Sequence, residues 1–337
     1  MQKLKYESFS YLSESVLKKL AQNRITTLLE FLEEDVTKLT GLTSLTLPQV
    51  LTIRSEIFAK YSAPLISGSA ILAKNLNQTS KISTGIVSLD SVLGGGIPVG
   101  CLTEICGLAN SGKTQLSLQL AINCVKAAEN TVLYIDTKGD FSAIRLQKIL
   151  EANKYTHKDM AVIMYKIRVV YVWIMEELID LFKSIKDKTL VIENLALIIV
   201  DSLPCLMFQY LGDDNKIGLS FLNTLVNYSR YLSKELTVGI IYINIQTRWV
   251  DNDTADLEDD GEMTSAFKES TPVEKRNRCL GRYWQGIPAL VLELEKLQDN
   301  SQENKDCTQL NICVLTSDSV KLENGRCVQN LGAGGVT

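Results

Sequence analysis

The sequence predicts an α/β fold, a mostly parallel sheet with helices on both faces, preceded by a small helical domain. Three observations predict it. The octet Gly107-Leu108-Ala109-Asn110-Ser111-Gly112-Lys113-Thr114 has the form G-x-x-x-x-G-K-[ST] and lies between an apolar stretch, 101–106, and a helix-periodic one, 115–128. Strand-like runs at 131–136, 167–171, 195–201, 238–244 and 290–294 alternate with helix-like stretches at 115–128, 141–152, 173–185 and 216–236, the pattern of a parallel sheet covered on both sides. Residues 1–60, by contrast, read as helices throughout.

Taken in order, Ser13 caps a helix beginning Glu14-Ser-Val-Leu, Leu28 to Leu32 suggest a second short helix, and Pro48 opens a third whose inner face is Val50, Leu51, Ile53, Ile57 and Phe58. A block of this size buries little core by itself. Its early basic residues, Lys3, Lys5, Lys18, Lys19 and Arg24 against Glu7 and Glu14, read as a solvated helix face in preference to a DNA contact. Residues 61–81 carry turn residues without periodicity and are read as a linker. The α/β core then runs from 82 to 337, interrupted at 249–278 by a segment read as an acidic flexible loop.

Each fixed position of the octet has a physical task. Gly107 and Gly112 let the backbone curl so that successive N–H groups face an anion. Lys113 places a charge on the outer phosphates, and the Thr114 hydroxyl holds a magnesium ion. The following helix adds its dipole to the anion site. The run Leu195-Ala-Leu-Ile-Ile-Val-Asp201 is an apolar strand ending in a carboxylate, which brings Asp201 to the sheet's carboxyl edge as a second metal residue. The alternative, a chance glycine-rich turn, requires four fixed positions to coincide in a strand–loop–helix context.

Composition removes several function classes. The 337 residues carry a net charge of −4, so any nucleic-acid surface has to be local. There is no apolar run long enough to span a bilayer and no signal-peptide pattern, so no membrane partner is expected. The single histidine, His157, excludes histidine-based zinc sites and a Ser-His-Asp triad. Eight cysteines occur without a C-x-x-C pair, and Cys101, Cys106, Cys124, Cys205 and Cys313 read as buried thiols of a reducing compartment, cytosol or nucleus.

Further segments carry a resemblance. Ile82-Ser-Thr-Gly-Ile-Val-Ser-Leu-Asp90-Ser-Val-Leu-Gly-Gly-Gly96 with Thr103-Glu104-Ile105, then Tyr134-Ile-Asp-Thr-Lys138-Gly139-Asp-Phe141 with Arg145-Leu146, and finally Cys279-Leu-Gly281-Arg282-Tyr-Trp284 resemble the ATPase core of the RecA-like recombinases and their eukaryotic paralogues, DNA-repair proteins. The resemblance covers about 82–296. It implies a RecA-type core, ATP and Mg2+ as ligands, a nuclear location, and DNA (single-stranded or branched) and other recombinase paralogue subunits as partners. It also implies that Lys113 and Thr114 hold phosphate and magnesium, that Asp201 is the metal carboxylate, and that Arg145 stacks on adenine; on residues alone, Arg145 is equally a surface helix arginine. In the family an aromatic-x-x-Ala segment docks a neighbour's sheet edge, and here only Tyr61-Ser-Ala63, with Phe58-Ala59 before it, approaches that pattern.

Three departures stand out. Lys138 occupies the position of the family's water-polarising glutamate, and a protonated lysine is no base; Asp136 or Asp140 would substitute only with a shifted loop. Ile245 stands where recombinases carry a phosphate-sensing glutamine, and Gln246, one residue on, falls on the other strand face. The stretch 249–270 carries Asp251, Asp253, Asp256, Glu258, Asp259, Asp260, Glu262 and Glu269 against Lys268, a charge that repels phosphate. The basic cluster Lys275, Arg276, Arg278 and Arg282 serves either DNA or that acidic run. These features leave three readings: an ATP-binding subunit of a paralogue complex with weak hydrolysis, an active filament-forming DNA-dependent ATPase, or an ATP-bridged scaffold without catalysis.

Overall fold

The computed structural model describes residues 3–4, 9–63, 65–77, 81–210, 216–250, 274–297, 308–316 and 325–337. The chain divides into two compact units, 1–77 and 78–337.

The first unit holds helices α1 (Glu14–Gln22), α2 (Leu28–Glu33), α3 (Val36–Thr43), α4 (Leu47–Tyr61) and α5 (Gly68–Asn77). Ser13 caps α1, and Thr27 with Glu30 forms a reciprocal capping box on α2. Leu20, Phe31, Leu39, Val50 and Ile53 are fully buried together. The sequence reading missed α3: its Val36-Thr-Lys-Leu-Thr-Gly-Leu-Thr run is rich in poor helix formers, and Asp35 starts it by accepting the Thr37 and Lys38 N–H groups. Helix α5 occupies part of the 61–81 stretch read as a linker.

The second unit runs β1 (Lys81–Ile82), α6 (Val87–Val92), β2 (Ile97–Pro98), β3 (Leu102–Gly107), α7 (Lys113–Ala127), β4 (Thr131–Asp136), α8 (Ala143–Ala152), α9 (His157–Lys166), β5 (Ile167–Tyr171), α10 (Met175–Lys186), β6 (Leu195–Asp201), α11 (Leu203–Met207) and α12 (Lys216–Glu235). It continues with β7 (Gly239–Ile243), β8 (Gln246–Val250), β9 (Glu274–Arg278), α13 (Gly281–Gln285), β10 (Leu290–Lys296), β11 (Thr308–Thr316), β12 (Arg326–Gly332) and β13 (Gly335–Val336). Nine strands form one sheet in the order β13-β12-β11-β10-β3-β7-β6-β4-β5. From β10 to β5 every neighbour is parallel; β10 to β13 are antiparallel.

Strict alternation divides the core into two layers. Val132, Tyr134, Leu197, Ile199, Ile241 and Ile243 face α6 to α9, whereas Leu133, Ile135, Ile198, Val200, Ile240 and Tyr242 face α10 to α13. The central helix α7 is buried nearly all round, at Ser117, Leu118 and Gln119 as well as at Leu116, Leu120 and Cys124, while its last residue, Ala127, is exposed. Of the cysteines read as buried, Cys106 and Cys124 are, while Cys101, Cys205 and Cys313 are half-buried.

The sequence reading did not anticipate α9 or the antiparallel extension β11–β13. The ends of the 249–278 stretch read as flexible are also ordered: β8 and β9 pair antiparallel, Gln246 opposite Arg278 and Val250 opposite Glu274. The acidic residues from Asp251 to Glu269 lie outside the described residues. Among the described residues no helix is long and apolar enough to cross a membrane.

Candidate nucleotide site

The carboxyl ends of β3, β4 and β6 converge beside the first turn of α7, with Asp136 directly opposite Asp201 in the β4–β6 ladder. Strand β3 delivers Gly107 at φ +156°, where an added Cβ would lie 2.4 Å from the Leu294 carbonyl oxygen and 2.5 Å from Ser111 Oγ. Only glycine fits so close a backbone approach. The loop then curls to Gly112, which opens α7 in a left-handed conformation. Lys113 Nζ lies over the loop and donates to the carbonyls of Gly107 (3.0 Å) and Leu108 (2.7 Å). Burial lowers the pKa of Lys113, the nearby Lys138 lowers it further, and Asp201 opposes both.

Asp201 is the centre of the site and is 2% exposed. Its Oδ2 accepts from Thr114 Oγ1 at 2.7 Å and from the Tyr134 hydroxyl at 2.8 Å. Its Oδ1 is buried without a hydrogen bond and has Lys138 Nζ 3.2 Å away as its counter-charge. Burial alone would lower the pKa of Lys138, but Asp201 outweighs it and the pKa rises, so this lysine keeps its proton. Tyr134, held by burial and the Asp201 charge well above its ordinary pKa, remains a neutral donor.

The donor set fits magnesium of the kind that nucleotides carry. Asp201 offers a buried oxygen lacking a hydrogen bond, and the Thr114 hydroxyl is adjacent. Among the described residues no three histidine, cysteine or acidic side chains converge into a metal cage, so one carboxylate and one hydroxyl would share the ion with phosphate oxygens and water.

These groups line a cleft of about 420 Å³ with Ala109, Asn110, Ser111, Gly112, Lys113, Thr114, Gln115, Lys138, Asp140, Asp201, Ser202, Ile243, Ile245 and Leu331 around it. Ile245 therefore faces the cleft, and Gln246 turns away to donate to Glu293, as the strand register requires. Asp136 does not line the cleft: its carboxylate accepts the backbone N–H groups of Lys138 (3.0 Å), Gly139 (3.0 Å) and Phe141 (2.8 Å). It thereby fixes the turn that presents Lys138. Asp140 is 68% exposed at its side chain and lies 3.7 Å from Lys138.

Arg145 is not among the lining residues. Its Nε donates to Gln115 Oε1 (2.7 Å) and its two terminal nitrogens donate to the carbonyls of Ala333 and Gly332 (2.8 Å each), so it fastens α7 and α8 to the β12–β13 turn. Two members of the basic cluster are also committed internally. Arg278 pairs with the fully buried Glu104 (2.8 Å) and Arg276 with Glu295 (2.7 Å); neither partner belongs to the acidic run. Asn244 joins the first pair by donating to Glu104 Oε1 at 2.7 Å. Sequence reasoning missed Tyr134 as an Asp201 partner, and also Leu331. The period-two alternation of β4 puts Tyr134 on the same face as Asp136, which was a usable signal; nothing in the sequence near Leu331 links it to the loop.

The chain is 25% identical over 294 residues to DNA repair protein RAD51 homolog 4 of Bos taurus, covering 86% of this chain and 84% of the relative. It is 26% identical over 249 residues to DNA repair protein RAD51 homolog 2 of Homo sapiens (69% and 64%), and 27% identical over 214 residues to DNA repair and recombination protein RadB of Methanosphaera stadtmanae (63% and 80%). The Rad51 family profile matches residues 75–260, more than half of the sequence and the whole of the nucleotide site up to β8, and the chain belongs to that family.

Proposed function

We propose that the protein is an ATP-binding subunit of a recombinase-paralogue complex that acts in the nucleus in DNA repair by homologous recombination, with ATP hydrolysis slow or supplied through its partners. The observation that carries this reading is the pairing of an intact phosphate and magnesium set, Lys113, Thr114 and Asp201, with a lysine in place of the expected base. Such a site binds a nucleotide and lacks the group that activates water. One further feature supports a subunit over a self-sufficient filament, and a second supports assembly with neighbouring chains. Arg276 and Arg278 are spent on internal carboxylates, which leaves less local charge for DNA. The edge strand β5 borders a second cleft, of about 630 Å³ and lined by Leu190, Val191 and Ile192, where an extended segment of a neighbour could add by strand pairing. On this chain Phe58 and Tyr61, both exposed on α4, are the residues that would be offered in turn. DNA is reached with the complex, and stacking of Arg145 on the base is part of this proposal, with the guanidinium already fixed edge-on by its three acceptors.

Two results test the reading. Lys113→Ala removes a charge-assisted contact worth roughly 1.5–3 kcal/mol, so calorimetry should show affinity for magnesium ATP falling at least about tenfold. Unchanged affinity rejects Lys113 as a phosphate ligand. By electron microscopy the pure protein on single-stranded DNA should form no long regular filaments, and related paralogues should co-purify with it from native extract; long filaments of the protein alone contradict the subunit assignment.

A further inference from the structure

The site carries two ammonium groups on one cleft. Lys113 belongs to the loop itself. Lys138 reaches in from the β4–α8 turn and stands 3.2 Å from Asp201 Oδ1, the buried oxygen that takes no hydrogen bond. The opposite oxygen is already saturated by Thr114 and Tyr134. A cation built into the chain therefore occupies the side of Asp201 where a metal's positive charge would be felt. The turn that presents it is not slack, because Asp136 ties three of its backbone N–H groups and, at Gly139 (φ +77°), an added Cβ would meet the edge of the Trp173 ring at 3.2 Å. A lysine on such a turn is a positioned charge, with its amine at the cleft and its side chain 29% exposed.

From this we infer that Lys138 is a resident counter-cation for the nucleotide: it supplies part of the positive charge that magnesium would otherwise bring to the outer phosphates, so triphosphate binding depends only weakly on the metal. The inference rests on the ATP-site reading above and concerns retention of the nucleotide, separate from its hydrolysis. The physical basis is simple. The phosphate chain brings several negative charges into a cleft that already holds the buried Asp201, 3.2 Å from the Lys138 amine, and the exposed Asp140, 3.7 Å from it. Without metal, a single lysine would leave that charge poorly neutralised, whereas the second ammonium can move from Asp201 to the phosphate within the same cleft. A purely structural Lys138–Asp201 pair would affect folding stability and leave the metal dependence of binding untouched.

The test is the dissociation constant of an ATP analogue with a non-hydrolysable β–γ bridge, measured by calorimetry on the full chain with excess magnesium and again with chelator. The unmodified protein should lose less than about tenfold on metal removal, and Lys138→Met should lose at least tenfold more than that, the worth of one charge-assisted contact. Lys138→Arg, which keeps the charge, should restore weak metal dependence. Thermal melting of each variant without nucleotide confirms folding. Equal metal dependence in the unmodified protein and Lys138→Met, with both binding in magnesium, overturns the inference alone. No binding by the unmodified protein even with magnesium overturns the ATP-site reading and this inference with it.

Discussion

Lys138→Glu is expected to raise ATP turnover by about 10²-fold or more, because a positioned general base contributes roughly 10²–10⁴. The turn geometry favours this outcome. Asp136 holds the backbone of residues 138–141 through its own carboxylate, independently of the side chain at 138. Glutamate is one bond shorter than lysine, so the new carboxylate would stand farther from Asp201 than the Lys138 amine does, yet on the same side of the cleft, and the variant requires magnesium to offset the two like charges. Ile245 sets a ceiling, since it offers the cleft no polar group to sense the terminal phosphate. The measurement is steady-state phosphate release at saturating magnesium ATP, with Lys113→Ala as the control for contaminating ATPase. A folded, nucleotide-binding Lys138→Glu variant with an unchanged rate rejects Lys138 as the block. Asp140→Asn should change little, because Asp140 is largely exposed and its charge is directed to Lys138.

Arg278→Ala is expected to cost about 3–5 kcal/mol of stability, the usual penalty for stranding one partner of a buried ion pair. Glu104 has no exposed surface, and Arg278 is the strongest influence holding its pKa down against burial. The pKa of Glu104 is already raised in the folded state, so native protein binds this proton more tightly than unfolded chain does. Its contribution to stability is therefore largest at low pH and falls as pH rises from the unfolded pKa through the folded one. Without Arg278 the folded pKa rises further, so the variant's deficit should be greater near about pH 8 than near about pH 5.5. Urea unfolding midpoints at the two values check both sign and size; a deficit independent of pH would mean that the lost stability comes from packing or from the Gln285 contact of Arg278, and not from Glu104.

This pair also shows where the sequence stops being informative. The phosphate loop and Asp201 were legible because their chemistry is carried by adjacent residues in a strand–loop–helix pattern, and the sheet strands because apolar runs have a period. Glu104 and Arg278 lie 174 positions apart, and only the sheet order β10-β3-β7, with the β8–β9 ladder beyond it, brings them together. Arg145 is a second case. Two of its three acceptors are backbone carbonyls 187 and 188 residues away, groups that every residue possesses and no residue type announces. Asp136 stands as a substitute base only with a shifted loop, and its carboxylate already accepts three N–H groups of that loop, bonds which such a shift would have to break. Helix α3 escaped because its residues favour strand, and its cap, Asp35, was the stronger signal. The Lys138 substitution was visible from the start; its ion pair with Asp201 required the structure.

The central claim, a nucleotide held at the loop and turned over slowly, is tested most directly by one measurement on the purified protein: bound nucleotide per chain together with the rate of ATP hydrolysis, with and without single-stranded DNA. The account predicts close to one ATP per chain, slow release of phosphate and no marked stimulation by DNA. Brisk, DNA-stimulated hydrolysis that Asp140→Asn abolishes would contradict it and make Asp140 the base.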